Sequence, residues 1–214
     1  MRRLIQELPY ERPLAAGRYI YAENGEKTGA EETWQLSSAQ EGYRFLRVDI
    51  NAGETRADHV LYHLVLNTSG RPERLKFRLF RPGQQVIGDL LFEGETVVLS
   101  RAVNAERVAS EAPFAGETAF WFPSAAGLSL LAGATSGSGL TLNRAQNLGL
   151  CATRLDLREG PPETIEVMGR QIEARPASAR WDDKECMIWF DAHQWPVRVQ
   201  CGAWTASDKR YIRY

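Results

Sequence analysis

Residues 74–80, RLKFRLF, set Leu75, Phe77 and Leu79 on one side of an extended backbone and Arg74, Lys76 and Arg78 on the other. Strand side chains alternate between faces, so this period of two marks a half-buried strand and fits no helix. The pattern recurs along the chain. Residues 43–50 (YRFLRVDI) align Leu46, Val48 and Ile50, and residues 59–67 (HVLYHLVLN) align Val60, Tyr62, Leu64 and Leu66 opposite His59 and His63. Asn24-Gly25 lies between runs at 18–23 and 31–36, Glu93-Gly94 between 86–92 and 95–101, and Met168-Gly169 marks a further turn. Such pairs of strand-like runs around turn residues read as hairpins. Additional strands are predicted at 151–157, 163–168, 171–176, 185–191, 196–204 and 210–214. The polar segment 103–117 reads as a loop with a helical turn.

Connections this short make neighbouring strands antiparallel. A twisted sheet of about eleven strands, each with one apolar face, cannot stay flat and uncovered. The expected fold is therefore all-β and mainly antiparallel: one strongly curved sheet or half-barrel with a single short plugging helix, in one domain spanning 1–214.

One stretch breaks the alternation. Residues 120–139, FWFPSAAGLSLLAGATSGSG, run from an aromatic triplet through an apolar segment into a Gly/Ser tail. Pro123-Ser124 can open a helix with Ser124 as its cap, Leu128, Leu130 and Leu131 give it an apolar side, and Gly133 can end it. About nine residues are too few to form a helix alone, so the segment has to pack on the sheet. It reads as a plug or lid over residues 124–132, followed by a flexible tail. A phosphate loop does not fit: no Lys lies between residues 77 and 183, and Gly137-Ser138-Gly139 lacks the third glycine of a dinucleotide fingerprint.

Composition narrows the partners. The net charge is −1, with 26 basic and 27 acidic residues and no basic run beyond Arg2-Arg3 and Lys209-Arg210. A nucleic-acid binder needs a concentrated positive face, so no nucleic-acid partner is expected. No window is apolar enough for a spanning helix. The opening MRRLIQELPYERP has no apolar core or cleavage signature of a secretory leader, which predicts a cytoplasmic protein. In that setting Cys151, Cys186 and Cys201 read as three small apolar residues.

An opening hairpin with Gly25 and Gly29, a long meander, a Phe-Pro-Ser helix interrupting the strands, and a late hairpin WFDAHQWPVRV ending in a Pro-led strand follow one another in order. Together they resemble the bacterial lipoprotein-carrier-like and glycolipid-binding β half-barrel proteins. The resemblance covers most of the chain as a pattern, with residue-level agreement limited to the Trp-Pro hairpin and the mid-chain helix. It implies an acyl chain or similar apolar ligand held in a concave sheet beneath short helices. Many such proteins are exported, and the absence of an export signal here departs from that pattern.

Sites for chemistry are sparse. On a strand, His59 and His63 lie about 13 Å apart, too far to share one ion, and Val60 stands where a metalloprotease helix needs Glu; no metal or cofactor is expected. Cys186 or Cys201 could meet His193 across the last hairpin, but an apolar strand cysteine is usually inert. Asp182, Asp183, Glu185 and Asp191 read as solvated turn residues. The six tryptophans suit a core or the walls of an apolar pocket. The expected function is non-enzymatic binding of a hydrophobic ligand, an acyl chain, lipid or glycolipid. Its predicted lining is Trp121, Phe122, Leu128 and Leu131, faced by Leu46, Val48, Leu75, Phe77 and Leu79. Two alternatives are an interaction module with a filled core and a hydrolase or isomerase using His59, His63, Tyr62 or Asp89.

Overall fold

The computed structural model describes residues 9–53 and 58–214; most of the N-terminal stretch weighed above for a leader lies outside them. The first half of the chain is a meander: β1 (Arg12–Glu23), β2 (Glu26–Ser38), β3 (Arg44–Asn51), β4 (His59–Leu66), β5 (Pro72–Arg81), β6 (Gln84–Glu93), β7 (Thr96–Val103) and β8 (Glu106–Pro113). The second half comprises β9 (Ala119–Trp121), β10 (Gly137–Asn143), β11 (Gly149–Glu159), β12 (Glu163–Val167), β13 (Arg170–Trp181), β14 (Lys184–Phe190), β15 (Pro196–Cys201) and β16 (Trp204–Arg213). β16 returns to pair with β1, so one sheet runs 8-7-6-5-4-3-2-1-16-15-14-13-11-10-9, with β12 attached to β13 alone.

The fold is the expected all-β, mainly antiparallel curved sheet, with sixteen strands in place of about eleven. One of the additional strands shows a physical origin for the difference. β8 falls in the segment read as a loop, and all but one of its residues are exposed. A strand wet on both faces has no apolar period to read.

The sheet does not close by a ladder. Its ends are joined by side chains: Arg101 of β7 donates to the carbonyls of Gln146 and Asn147, each at 2.6 Å, in the loop before β11. No helix among the described residues is long and apolar enough to cross a membrane.

The interior is filled along β3–β7. Leu46, Val48, Leu75, Phe77 and Leu79 are buried in one apolar cluster with Phe122, Leu128 and Leu131. The stretch 120–139 owes its irregularity to topology. β9 and β10 pair in parallel, Ala119 to Gly139 through Trp121 to Thr141, and a parallel pair needs a long crossover connection. The Phe-Pro-Ser segment is that crossover, and its helical part is a single 3₁₀ element, Ala126–Leu131. The Gly/Ser tail is no flexible appendage, because Gly137–Asn143 pairs with β11 along its whole length.

The cysteine reading needs correcting. Cys186 of β14 and Cys201 of β15 face one another across the ladder and are joined as a disulfide; only Cys151 is free. With no thiol left on either residue, the Cys–His193 arrangement has no nucleophile.

Gly139 shows how tightly the crossover is seated. A Cβ there would lie 2.8 Å from both Cη2 and Cζ3 of Trp121. Overpacking of this kind typically costs about 1–3 kcal/mol. Gly139→Ala is expected to lower the midpoint of thermal unfolding by several degrees, and an unchanged midpoint would mean that Trp121 is not locked in place.

Candidate ligand site at the mouth of the sheet

In a meander every second turn falls at the same end. The β1–β2, β5–β6, β10–β11, β13–β14 and β15–β16 connections, with Ala52 and Asp58 between β3 and β4, ring a half-open cavity of about 1060 Å³. Its apolar wall includes Ile50, Trp121, Leu128, Leu142 and Trp181, and Tyr21 and Trp204 stand toward the turns. Trp121 and Trp181 meet edge to face at 5.2 Å, and Tyr21 and Trp204 lie 6.0 Å apart.

The structure separates the nine predicted lining residues. Trp121 and Leu128 stand on the cavity wall. Phe122, Leu131, Leu46, Val48, Leu75, Phe77 and Leu79 pack in the core. Phe122 leans on Tyr62 with ring centroids 4.6 Å apart, so the crossover fills the deep part of the concave face and leaves the mouth open.

The floor is held by a residue the sequence reading passed over. Glu32 of β2 is completely buried. Its carboxylate accepts hydrogen bonds from the backbone N–H groups of Ala125 (3.0 Å) and Ala126 (2.7 Å) and from the Tyr21 hydroxyl (2.5 Å). Ser124 Oγ accepts from Gly127 N at 2.6 Å, as its position before the helix predicted. Glu32 and Ser124 thus satisfy three donors at the start of the 3₁₀ element. Burial pushes the Glu32 carboxyl up to about 7, even though the hydrogen bonds it accepts favour the charged form. The Tyr21 hydroxyl is raised by its own burial and by Glu32. A sequence signal existed: Glu32 shares its strand face with Trp34 and Leu36, an acid at an inward position.

At the rim, Asp58 Oδ2 accepts from Arg81 Nε at 3.1 Å and from Arg144 Nη2 at 3.3 Å. Arg144 sits in the β10–β11 connection, so this cluster bridges the two limbs of the sheet. The candidate titratable groups for catalysis do not converge. His59 contacts Asp49 at 2.6 Å and Asp89 pairs with Arg74, and neither lines the cavity. Burial lowers His63 to about 4. The Tyr62 hydroxyl is buried with no hydrogen-bond partner among the described residues. No group of three metal-ligating side chains occurs among the described residues.

No family model and no curated protein matches the chain. Among crystal structures it is similar to a β-barrel-like protein of a domain of unknown function, DUF1849, from Brucella abortus. The TM-score is 0.61 at 10% identity, over 94% of this chain and 98% of that one. At that identity the likeness is one of fold alone. It agrees with a β half-barrel architecture and identifies no lipoprotein-carrier or glycolipid-binding family.

Glu32 generates a pH dependence with a definite sign. Its folded-state pKa of about 7 exceeds its ordinary 4.5. The stability it contributes is full below about 4.5 and is lost as pH rises toward 7. His63 acts oppositely, losing stability as pH falls below its ordinary 6.5. The difference between wild type and Glu32→Gln cancels the histidine. It is expected to shift against wild type by about 2–3 kcal/mol between pH 4.5 and 8 in denaturant titrations. A flat difference would mean that Glu32 is not held as described.

Proposed function

We propose that the protein binds a hydrophobic ligand, an acyl chain or lipid, in the cavity at the mouth of its curved sheet, and performs no chemistry on it. The observation that carries this reading is the cavity itself. About 1060 Å³ of half-open space is ample for a small-molecule site, which typically occupies about 300–1,000 Å³. Its wall joins indole and aliphatic side chains, Trp121, Trp181, Ile50, Leu128 and Leu142 among them, to polar and charged groups. A polar rim and an apolar interior suit an amphipathic guest. The candidate groups weighed for catalysis, His59, His63 and Asp89, do not line the wall among the described residues, and the reading is therefore one of carriage. The filled deep face, with Leu75 and Leu79 fully buried, restricts the ligand to the mouth.

The Cys186–Cys201 disulfide also bears on location. Structural disulfides persist where thiols are kept oxidised. We therefore favour an oxidising compartment over the cytoplasm expected from the sequence.

Leu128 provides the test. Leu128→Asp places a charge on the apolar wall and is expected to weaken binding of a neutral apolar fluorescent dye at least tenfold, while far-UV circular dichroism stays β-like. Ala52→Trp, which fills the cavity from the residue after β3, should do the same. Dye binding unchanged in both folded variants would contradict the proposal.

A further inference from the structure

The rim carries a feature that an apolar pocket does not need. Asp58, Arg81 and Arg144 all line the cavity. A single carboxylate oxygen, Asp58 Oδ2, is divided between two guanidiniums. Among the described residues, the remaining contact of Arg81 is a 3.5 Å approach of Nη2 to the Arg144 carbonyl oxygen. Asp58, Arg81 and Arg144 together therefore carry one positive charge in excess. The side chains of Arg81 and Arg144 line the cavity and keep 26% and 34% of their surface exposed. Arg144 also acts inward: its charge lowers the pKa of Tyr21, Glu32 and Tyr62 against the effect of burial.

Bracing the loop does not account for Arg144. The β10–β11 connection is already held to β7 by the two 2.6 Å bonds from Arg101. It is also capped internally, where Asn143 Oδ1 accepts from Ala145 N at 3.0 Å. The other charged wall residues described do not make a second cationic end: Glu23 and Glu185 are acidic, Glu185 pairs with Arg180 at 3.2 Å, and Asp183 stands beside Lys184 in one turn.

We propose that Arg81 and Arg144 receive the oxyanion head of an acidic amphiphile whose apolar tail lies against Trp121, Leu128 and Trp181. This rests on the ligand reading above and names the chemical class of that ligand. Guanidinium presents paired N–H groups in a plane that match a carboxylate or phosphate, whereas a neutral hydroxyl offers one oxygen and no charge. The head adds to the acid already present instead of replacing it, because two cations flank a single carboxylate.

The test compares heads on one tail by calorimetry or dye displacement. Palmitate, its alcohol hexadecanol and a palmitoyl lysophosphatidic acid are titrated into wild type, Arg144→Gln, Arg81→Gln and Asp58→Asn, with acetate and inorganic phosphate as tail-free controls. Charge-assisted hydrogen bonds predict that the two acids bind wild type about 10- to 100-fold tighter than the alcohol. Arg144→Gln and Arg81→Gln should erase that preference and leave hexadecanol affinity unchanged, and Asp58→Asn should widen it. The stronger of palmitate and lysophosphatidic acid identifies the head as carboxylate or phosphate. Equal binding of acid and alcohol would overturn the head-group assignment and leave the apolar-ligand reading standing. A preference that survives both arginine variants would also overturn the assignment. Tight binding of phosphate or acetate alone would replace the amphiphile with a small anion, and no binding of any tailed compound would refute both readings.

Discussion

A buried carboxylate, Glu32, ties the one long segment outside the ladders to the sheet. Without it the N–H of Ala126 would be buried with no acceptor, at a cost of about 1–3 kcal/mol, and that of Ala125 would keep only its 3.4 Å contact with the Tyr21 hydroxyl. The crossover between β9 and β10 would then have no reason to lie against β2. Because it does, Phe122 reaches Tyr62 and fills the deep face, Trp121 is carried to the wall, and the space left over collects at the mouth. The cavity is thus a consequence of where one acid anchors one connection.

The same constraint gives the molecule two regions of different character. Along β3–β7 the concave face is packed by its own side chains, as a sheet without a ligand would be. At the mouth, the turns that antiparallel topology brings together supply polar groups around an apolar wall. Arg101 then holds the two limbs near each other where no ladder does, and the Asp58 cluster stands at the rim between them. Binding at such a place needs no opening of the core.

Much of the architecture was legible in the sequence because it depends on the period of two. β3, β4 and β5 display their inward faces residue by residue, and a curved antiparallel sheet follows. β8 was illegible since exposure on both faces leaves nothing to alternate. The parallel pairing of β9 and β10 was hidden as well, for three residues make too short a strand to show a period. The plug was found by its Pro-Ser start, but its tail was misread: residues 137–139 are paired strand, and Gly139 marks close packing on Trp121, not mobility. Glu32 and the Cys186–Cys201 pair left usable traces, one as an acid among inward residues and the other as a near-symmetric placement about the WFDAHQWP turn. Arg144 left none, since only the three-dimensional approach of two distant limbs gives it its neighbours.

The most direct measurement is native mass spectrometry of protein purified without detergent, followed by organic extraction of whatever co-purifies and by incubation of the stripped protein with mixed lipids. The account predicts a bound species, retained or restored, whose mass matches a fatty acid or an acidic lipid at one per chain. A bare protein mass in both preparations would contradict it and make the mouth cavity an unoccupied feature of an interaction module.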